Sequence, residues 1–528
     1  MQYLGEIISL VSNDQFFVDD LFLQQLVYIY YYPFLKIFFL IFETSYLLIY
    51  VRFLLFLTIL FMFIYLFKQK RISNIPAPTL LTISLMLTVA ISFHGLFSIS
   101  YNTVAQIIWI LFIFNFFYWH KHSYKTIAFY PSLISIVHPP SAISMTLISL
   151  IRILFDNEKK IYSSLIFFKN LFLVSFIIFI IILFFSSIEK IYSSYNFSSS
   201  YGVGSILHLN IKEFYILIYI VASLLGPIIL RNLISKKLIY LLIVLCLVFG
   251  ELLLLSVYFF DENSSRRFYL VYITPPLVGL LFAYLFNEQK KLKSSQSLIW
   301  LLLVFLLHLT TIVITSSNGV FQSHGATMVI IPLLLLLYHD IFQSKNSISF
   351  VLLLSSVLFL TQWSIYSYRD DSKLSASEFI NHPIELKGIY STKEKISIIN
   401  TVKKEFPNQF VDKNVLISGS WPAMYYILNA KPSTCMNYMH SLPSEAAFNE
   451  YIACINLKPI DYFIDIKSED SVSIPGNFLD KFNNQIIEKR KFKCIYKDLE
   501  VENFRSKYLK FQICSKASDE SMFALPVN

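Results

Sequence analysis

Long apolar runs separated by short polar joints occupy the chain as far as Gln362, and after Trp363 the sequence takes on the mixed polarity of a water-soluble domain. Clear apolar runs fall at 46–67, 76–93, 102–119, 161–187, 212–230, 238–258, 268–286, 297–315, 325–342 and 346–362. Each approaches the roughly 20 residues that an α-helix needs to cross a hydrocarbon core of about 30 Å. The run at 127–155 is interrupted by His138-Pro139-Pro140. Proline has no N–H to donate and clashes with the turn before it, so no helix continues undisturbed through that pair. Two short helices are predicted there, forming a hairpin that starts and ends on one side. Beyond 363 the pattern becomes that of a mixed α/β domain. Residues 391–406 have helical spacing behind a Ser-Thr-Lys-Glu start suited to an N-cap, and 415–418, 462–466 and 508–514 are short strand candidates. The expected fold class is a polytopic α-helical membrane bundle over 46–362 with a C-terminal soluble mixed α/β domain over 363–528.

Charge along the joints orients such a bundle. Basic groups collect at Lys68, Lys70 and Arg71, at Lys121 and Lys125, and at Arg152, Lys159 and Lys160. They collect again at Arg231, Lys236 and Lys237, and at Lys290, Lys291 and Lys293. The opposite joints at 94–101 and 316–324 carry no Lys or Arg. The joint at 261–267 has two arginines and two acids, and Lys190 and Lys212 each stand beside a glutamate. Cytoplasmic loops accumulate Lys and Arg. Parity therefore places the tail outside the cytoplasm, on the outer face of the cytoplasmic (inner) membrane. It also places residues 1–45 outside, as an outer-face loop region. The segment 1–17 has no basic n-region and only a short apolar run, so the expectation is a first helix ahead of it, truncated or lost to a mis-assigned start, with an N-terminus that translocates unaided as the alternative.

Composition agrees with burial in lipid. The 51 phenylalanines and 34 tyrosines, with a mean hydropathy of +0.60, carry more apolar surface than a water-soluble core could hide. The net charge of +9 lies largely in the joints, and no dense basic tract is interleaved with aromatics, which argues against nucleic acid as a partner. Cys246 lies inside an apolar run, whereas Cys435, Cys454, Cys494 and Cys514 are confined to the tail. An even set there suits one or two disulfides in an oxidising compartment, and four free buried thiols are the alternative.

Candidate chemistry lies at the outer joints. Asp19-Asp20 precedes an aromatic stretch, and a carboxylate at that boundary could take a proton from an attacking hydroxyl or help bind a divalent ion. An aspartate capping the next helix reads the same way. Arg266 and Arg267, followed by Phe268 and Tyr269, combine phosphate-binding forks with interfacial rings, and the same residues suit simple membrane anchoring. Glu251 falls within an apolar run, where an ionisable group is costly unless it is paired or faces a polar interior. His94, Tyr101 and Asn102 lie around the start of one run and could hold phosphate or hydroxyl groups, and His138 marks the proline break.

In their order along the chain these pieces resemble the GT-C superfamily of membrane glycosyltransferases. The likeness is to bacterial proteins related to dolichyl-phosphate-mannose protein mannosyltransferases and lipid A aminoarabinose transferases. Asp19-Asp20 resembles the acidic pair that follows their first transmembrane helix, and Arg52, in Ile49-Tyr50-Val51-Arg52-Phe53, looks like an arginine early in their next helix. Ser100-Tyr101-Asn102 is similar to a small-Tyr-Asn segment opening a later helix, His138-Pro139 stands where many have Lys-Pro, and Arg267-Phe268-Tyr269 loosely resembles an Arg-Tyr element. In the tail, Val415-Leu416-Ile417-Ser418-Gly419 followed by Trp421-Pro422-Ala423-Met424-Tyr425-Tyr426 is similar to a strand and Pro-x-x-Tyr-Tyr segment of relatives with an exported domain. The resemblance implies an isoprenoid-phosphate sugar donor drawn from the membrane lipids, Asp19 or Asp20 as the base, and inversion at the sugar carbon. Arg52, His94, Tyr101, Asn102, His138, Arg266, Arg267 and Tyr269 would then serve the substrate and its phosphate. A lipid or envelope-precursor transporter (a flippase) and a non-catalytic envelope assembly protein are the competing expectations. Glu251, Arg52 and the broken hairpin would suit the transporter equally.

Overall fold

The structure, a computed structural model, describes residues 2–18, 23–68, 99–117, 123–156, 159–202, 211–255, 274–288, 292–315, 376–418, 421, 423–436, 445–468, 479–502 and 508–516. The chain is mostly helical and ends in a mixed α/β domain. Its helices before the tail are α1 (Gln2–Asn13), α2 (Tyr32–Phe42), α3 (Leu47–Lys68), α4 (Tyr101–Phe117), α5 (Tyr124–Ile127), α6 (Phe129–Ser135) and α7 (Pro139–Asp156). They continue with α8 (Lys160–Phe185), α9 (Ile188–Gly202), α10 (Ile211–Ile229), α11 (Lys236–Leu255), α12 (Thr274–Glu288) and α13 (Leu292–Thr315). The tail runs β1 (Ala376–Phe379), β2 (Tyr390–Thr392), α14 (Lys393–Glu405), β3 (Asn414–Ser418), α15 (Met424–Ile427) and β4 (Lys431–Pro432). After these come α16 (Glu445–Asn456), β5 (Tyr462–Ser468), α17 (Leu479–Arg490), β6 (Phe492–Glu500) and β7 (Tyr508–Lys516).

Helices α3, α4, α8, α10, α11, α12 and α13 fall on predicted apolar runs, while the runs at 76–93, 325–342 and 346–362 lie outside the described residues. Among the described residues two helices are long and apolar enough to cross a bilayer by length and composition, Leu47–Leu66 and Lys160–Phe185. The chain breaks at His138 as expected, and α7 starts on Pro139, whose missing N–H is no loss in a first helical turn. The two arms of that hairpin differ, however. The first is divided into α5 and α6, whereas α7 runs 18 residues and is not short. Residues 1–45, expected as a loop region, hold α1, α2 and a 3-10 helix over Leu23–Tyr30. Pro33 does not prevent α2, because it occupies the first turn.

The chain divides into two compact units. The first comprises Met1–Phe53, Ile181–Tyr201 and Ser375–Asn528, and the second Leu54–Ile180 and Gly202–Leu374. In the first unit a five-stranded sheet has the order β4-β3-β5-β7-β6. Strand β3 is parallel to β4 and β5, while β7 is antiparallel to both β5 and β6. Tyr462 to Ile466 are all buried, as expected of a central strand covered on both faces. Leu416, Phe463, Phe448, Tyr451, Phe482 and Ile486 form the core, and Phe197 of α9 is inserted among them. The 3-10 helix and α1 belong to the same unit: Lys458 Nζ donates to the Val18 carbonyl at 2.7 Å, and Leu23 N–H to Ser198 Oγ at 3.1 Å. Thr392 caps α14 by accepting from the Lys395 N–H at 3.4 Å, as its Ser-Thr-Lys-Glu sequence predicts.

All four tail cysteines are paired, Cys435 with Cys454 and Cys494 with Cys514, the latter directly across β6 and β7. Cys435 and Cys454 are separated by 19 residues. A cross-link closing a loop of that size restricts the unfolded chain by about 3 kcal/mol. Replacing both by alanine is expected to lower tail stability by about that amount, read as a lower unfolding midpoint without reductant and no shift in the presence of reductant.

In the second unit α10 and α12 approach so closely that a Cβ on Gly279 would lie 2.4 Å from the Leu224 carbonyl oxygen and 2.8 Å from that of Ser223. Only glycine permits that approach, a device common where apolar helices must pack backbone to backbone.

Candidate functional site

The proline break builds a buried polar cluster in the second unit. Because α7 starts at Pro139, His138 stands at its threshold, one turn from Ser141, and His138 Nδ1 lies 2.7 Å from Ser141 Oγ. Trp109 on α4 donates its Nε1–H to the same oxygen at 3.0 Å. Indole can only donate, so the Ser141 hydroxyl accepts there, while the direction of its bond with His138 Nδ1 follows the imidazole tautomer. The Trp109 ring also lies 4.5 Å from the ring of His308, a fully buried residue of α13. One turn further on, Ser144 Oγ and Thr311 Oγ1 are 2.5 Å apart, and Thr311 donates to the Leu307 carbonyl at 2.7 Å. Gln106, one turn before Trp109, is buried, and its Oε1 has no hydrogen-bond partner among the described residues.

Arg152 continues the polar face of α7. Its Nη1 donates to the Phe116 carbonyl near the end of α4, and its guanidinium lies 4.6 Å from the Phe116 ring and 5.6 Å from the Trp300 ring. A cation at a helix C-terminus between aromatic faces is well placed electrostatically. The residue expected in a cytoplasmic joint is therefore 6 % exposed.

In the first unit, Arg52 lies in the second turn of α3, half-buried. It has no ion pair among the described residues, and its buried Nε has no hydrogen-bond partner. A guanidinium in apolar surroundings without a counter-charge is costly, and an anion would relieve that cost.

A second buried cluster lies in the α/β domain where Ser418, at the end of β3, and Asp465, midway along β5, are register partners. The connections from β3 to β4 and from β4 to β5 run to opposite sides of β3, which makes this the topological switch point of the parallel strands. Ser418 Oγ donates to Asn483 Oδ1 at 2.9 Å. Burial raises the Asp465 carboxyl above its ordinary range, opposed by Lys467 at 3.3 Å and by Ser418.

The sequence candidates are thus distributed unevenly. His138 is gathered into a cluster, Tyr101 opens the same helix that supplies Trp109, and Arg52 belongs to the other unit. Asn102 lies in α4 and Glu251 in α11, with their side chains outside what is described. Asp19, Asp20, His94, Arg266, Arg267 and Tyr269 lie outside the described residues. Trp109, Ser141, Ser144, His308 and Thr311 were not singled out from sequence. Their signal was there, as polar pairs three residues apart on one face of apolar helices (Ser141 with Ser144, His308 with Thr311). Among the described residues no group of three or more His, Cys, Asp or Glu could hold a metal ion. No family model matches this chain, and no curated protein or solved structure is similar to it at a significant level.

Proposed function

We propose that this chain is a polytopic membrane glycosyltransferase of the GT-C kind. It would transfer a sugar from an isoprenoid-phosphate donor to a lipid, glycan or protein acceptor at the outer face of the cytoplasmic membrane. Arg52 is the observation that carries the reading: an arginine early in the first long apolar helix, lacking a counter-charge among the described residues, suits the phosphate of a membrane-held donor. The orientation has separate support. Residues 1–45, the joint after α8 and the tail, which charge bias assigns to the outer side, belong to one compact unit, and the tail cysteines are paired as in an oxidising compartment.

In this reaction the acceptor oxygen attacks the sugar's anomeric carbon as the bond from that carbon to the phosphate oxygen breaks. The hydroxyl proton passes to Asp19 or Asp20, and Arg52 stabilises the charge left on the isoprenoid phosphate. The transporter reading gains support from the buried cluster of His138, His308, Ser141, Ser144 and Thr311, since polar groups inside an apolar bundle also suit a translocation path. Release of free isoprenoid phosphate from a lipid-linked sugar in the presence of acceptor separates the two. Purified protein should catalyse it, and Asp19→Asn or Asp20→Asn should lose roughly 10²-fold or more. Movement of intact lipid-linked sugar across vesicles without any cleavage would favour the transporter.

A further inference from the structure

We infer that α2 and α9 are footings that bed the first unit in the outer lipid leaflet without crossing the membrane. The inference rests on the membrane reading above, but on separate residues. Helix α2 is 11 residues long, about 16 Å at 1.5 Å per residue, roughly half of a hydrocarbon core. Its Phe34, Ile37, Leu40, Ile41 and Phe42 are all exposed, Ile41 at 65 %. The opposite side is held by protein. Leu35 is fully buried, Lys36 reaches Asp14 at 2.5 Å and the Val11 carbonyl at 2.9 Å, and Tyr32 donates to Asp14 at 2.6 Å. At its far end Phe38 stacks on Tyr50 with centroids 3.9 Å apart, Thr44 donates to Glu385 at 3.0 Å, and Tyr46 N–H donates to the Ile384 carbonyl at 3.2 Å. The exposed side is thus a fixed face, clamped at both ends.

Helix α9 repeats the design. Ser194 and Phe197 are fully buried, Phe197 within the α/β core, while Ile188, Tyr192 and Tyr195, at i, i+4 and i+7, form an exposed stripe. Tyrosine with an aliphatic neighbour on one face suits the lipid–water boundary, where ring and hydroxyl meet different environments. Lipid is the occupant that fits both faces. The exposed side of α2 continues through Ile49 and Phe53 into α3, whose following turns are apolar enough to span a bilayer, and the polar groups of α2 lie on the opposite side. A second copy of the chain would have to match two separate faces at once.

Nitroxide labels at Ile41→Cys and Tyr192→Cys, each in a Cys246→Ala background, test this in vesicles of phosphatidylcholine and phosphatidylglycerol. Both labels should be open to oxygen, shielded from a water-soluble nickel chelate, and within about 15 Å of the outer surface, one leaflet. Leu60→Cys in α3 reports the membrane reading itself, and Asp412→Cys, on an exposed turn of the tail, reports water. Nickel access at 41 and 192 with lipid contact at 60 would overturn the footings and leave the span intact. Water access at all three would overturn both. Spin–spin broadening at 41 or 192 would assign those faces to a second copy and equally overturn the inference. Should either variant fail to elute as the wild-type protein, Ile37→Cys or Tyr195→Cys tests the same face.

Discussion

Arg52→Met should abolish most turnover while leaving the protein as stable as before, or more so. In the proposed reaction charge builds on the departing phosphate, and removing a positioned donor from such a site costs roughly 10²- to 10³-fold in rate. The same guanidinium has no ion pair among the described residues, so its removal leaves no opposite charge stranded and relieves a half-buried cation of its desolvation cost. Activity and thermal midpoint are therefore expected to move in opposite directions, or the midpoint not at all. A residue that merely organised the helix would show the reverse, a fall in midpoint with turnover per folded molecule unchanged. Both quantities come from one detergent preparation, by an isoprenoid-phosphate release assay and a thermal melt.

Gly279→Ala should be strongly destabilising, and far more so than the same change at Gly226. The added carbon would meet the Leu224 and Ser223 carbonyl oxygens at 2.4 and 2.8 Å, backbone atoms that move only if α10 and α12 separate. Forced overpacking of this kind costs about 1–3 kcal/mol or more. Gly226→Ala, also on α10, is the control, because a Cβ there has no atom within 4 Å. Relief of glycine's helix penalty should make that variant neutral or more stable by up to about 1 kcal/mol. Equal melting of the two variants would contradict the close helix contact.

Sequence and structure agree most where a local rule acts alone. The runs at 46–67, 102–119, 161–187, 212–230 and 238–258 mark helix bounds to within three residues, Thr392 caps α14, and the proline pair breaks the chain at His138, because each follows from nearby residues. Elements that depend on distant packing were less legible. Helix α9 is serine-rich and weakly apolar, and its place in the first unit depends on Phe197 entering a core built more than 200 residues later. Strand β6 carries Lys493, Lys497, Asp498 and Glu500 among its nine residues, and β4 is only two residues long, so neither presents a clear strand run. The candidate site divides in the same way. His138 was visible because proline marks it, but its neighbours were not. A single His308 in an apolar run does not reveal that Trp109, some 200 positions earlier, packs against it. Arg52 was legible as a charge in an apolar run, and its lack of a counter-charge among the described residues needed coordinates.

The most direct test of the proposed function is an experimental structure with an isoprenoid phosphate bound. The phosphate is expected beside Arg52, with guanidinium nitrogens about 2.7–2.9 Å from its oxygens, and with the Asp19–Asp20 segment facing the position of the departed sugar. A phosphate held instead along a path lined by Glu251, out of reach of Arg52, would contradict the glycosyltransferase and favour transport.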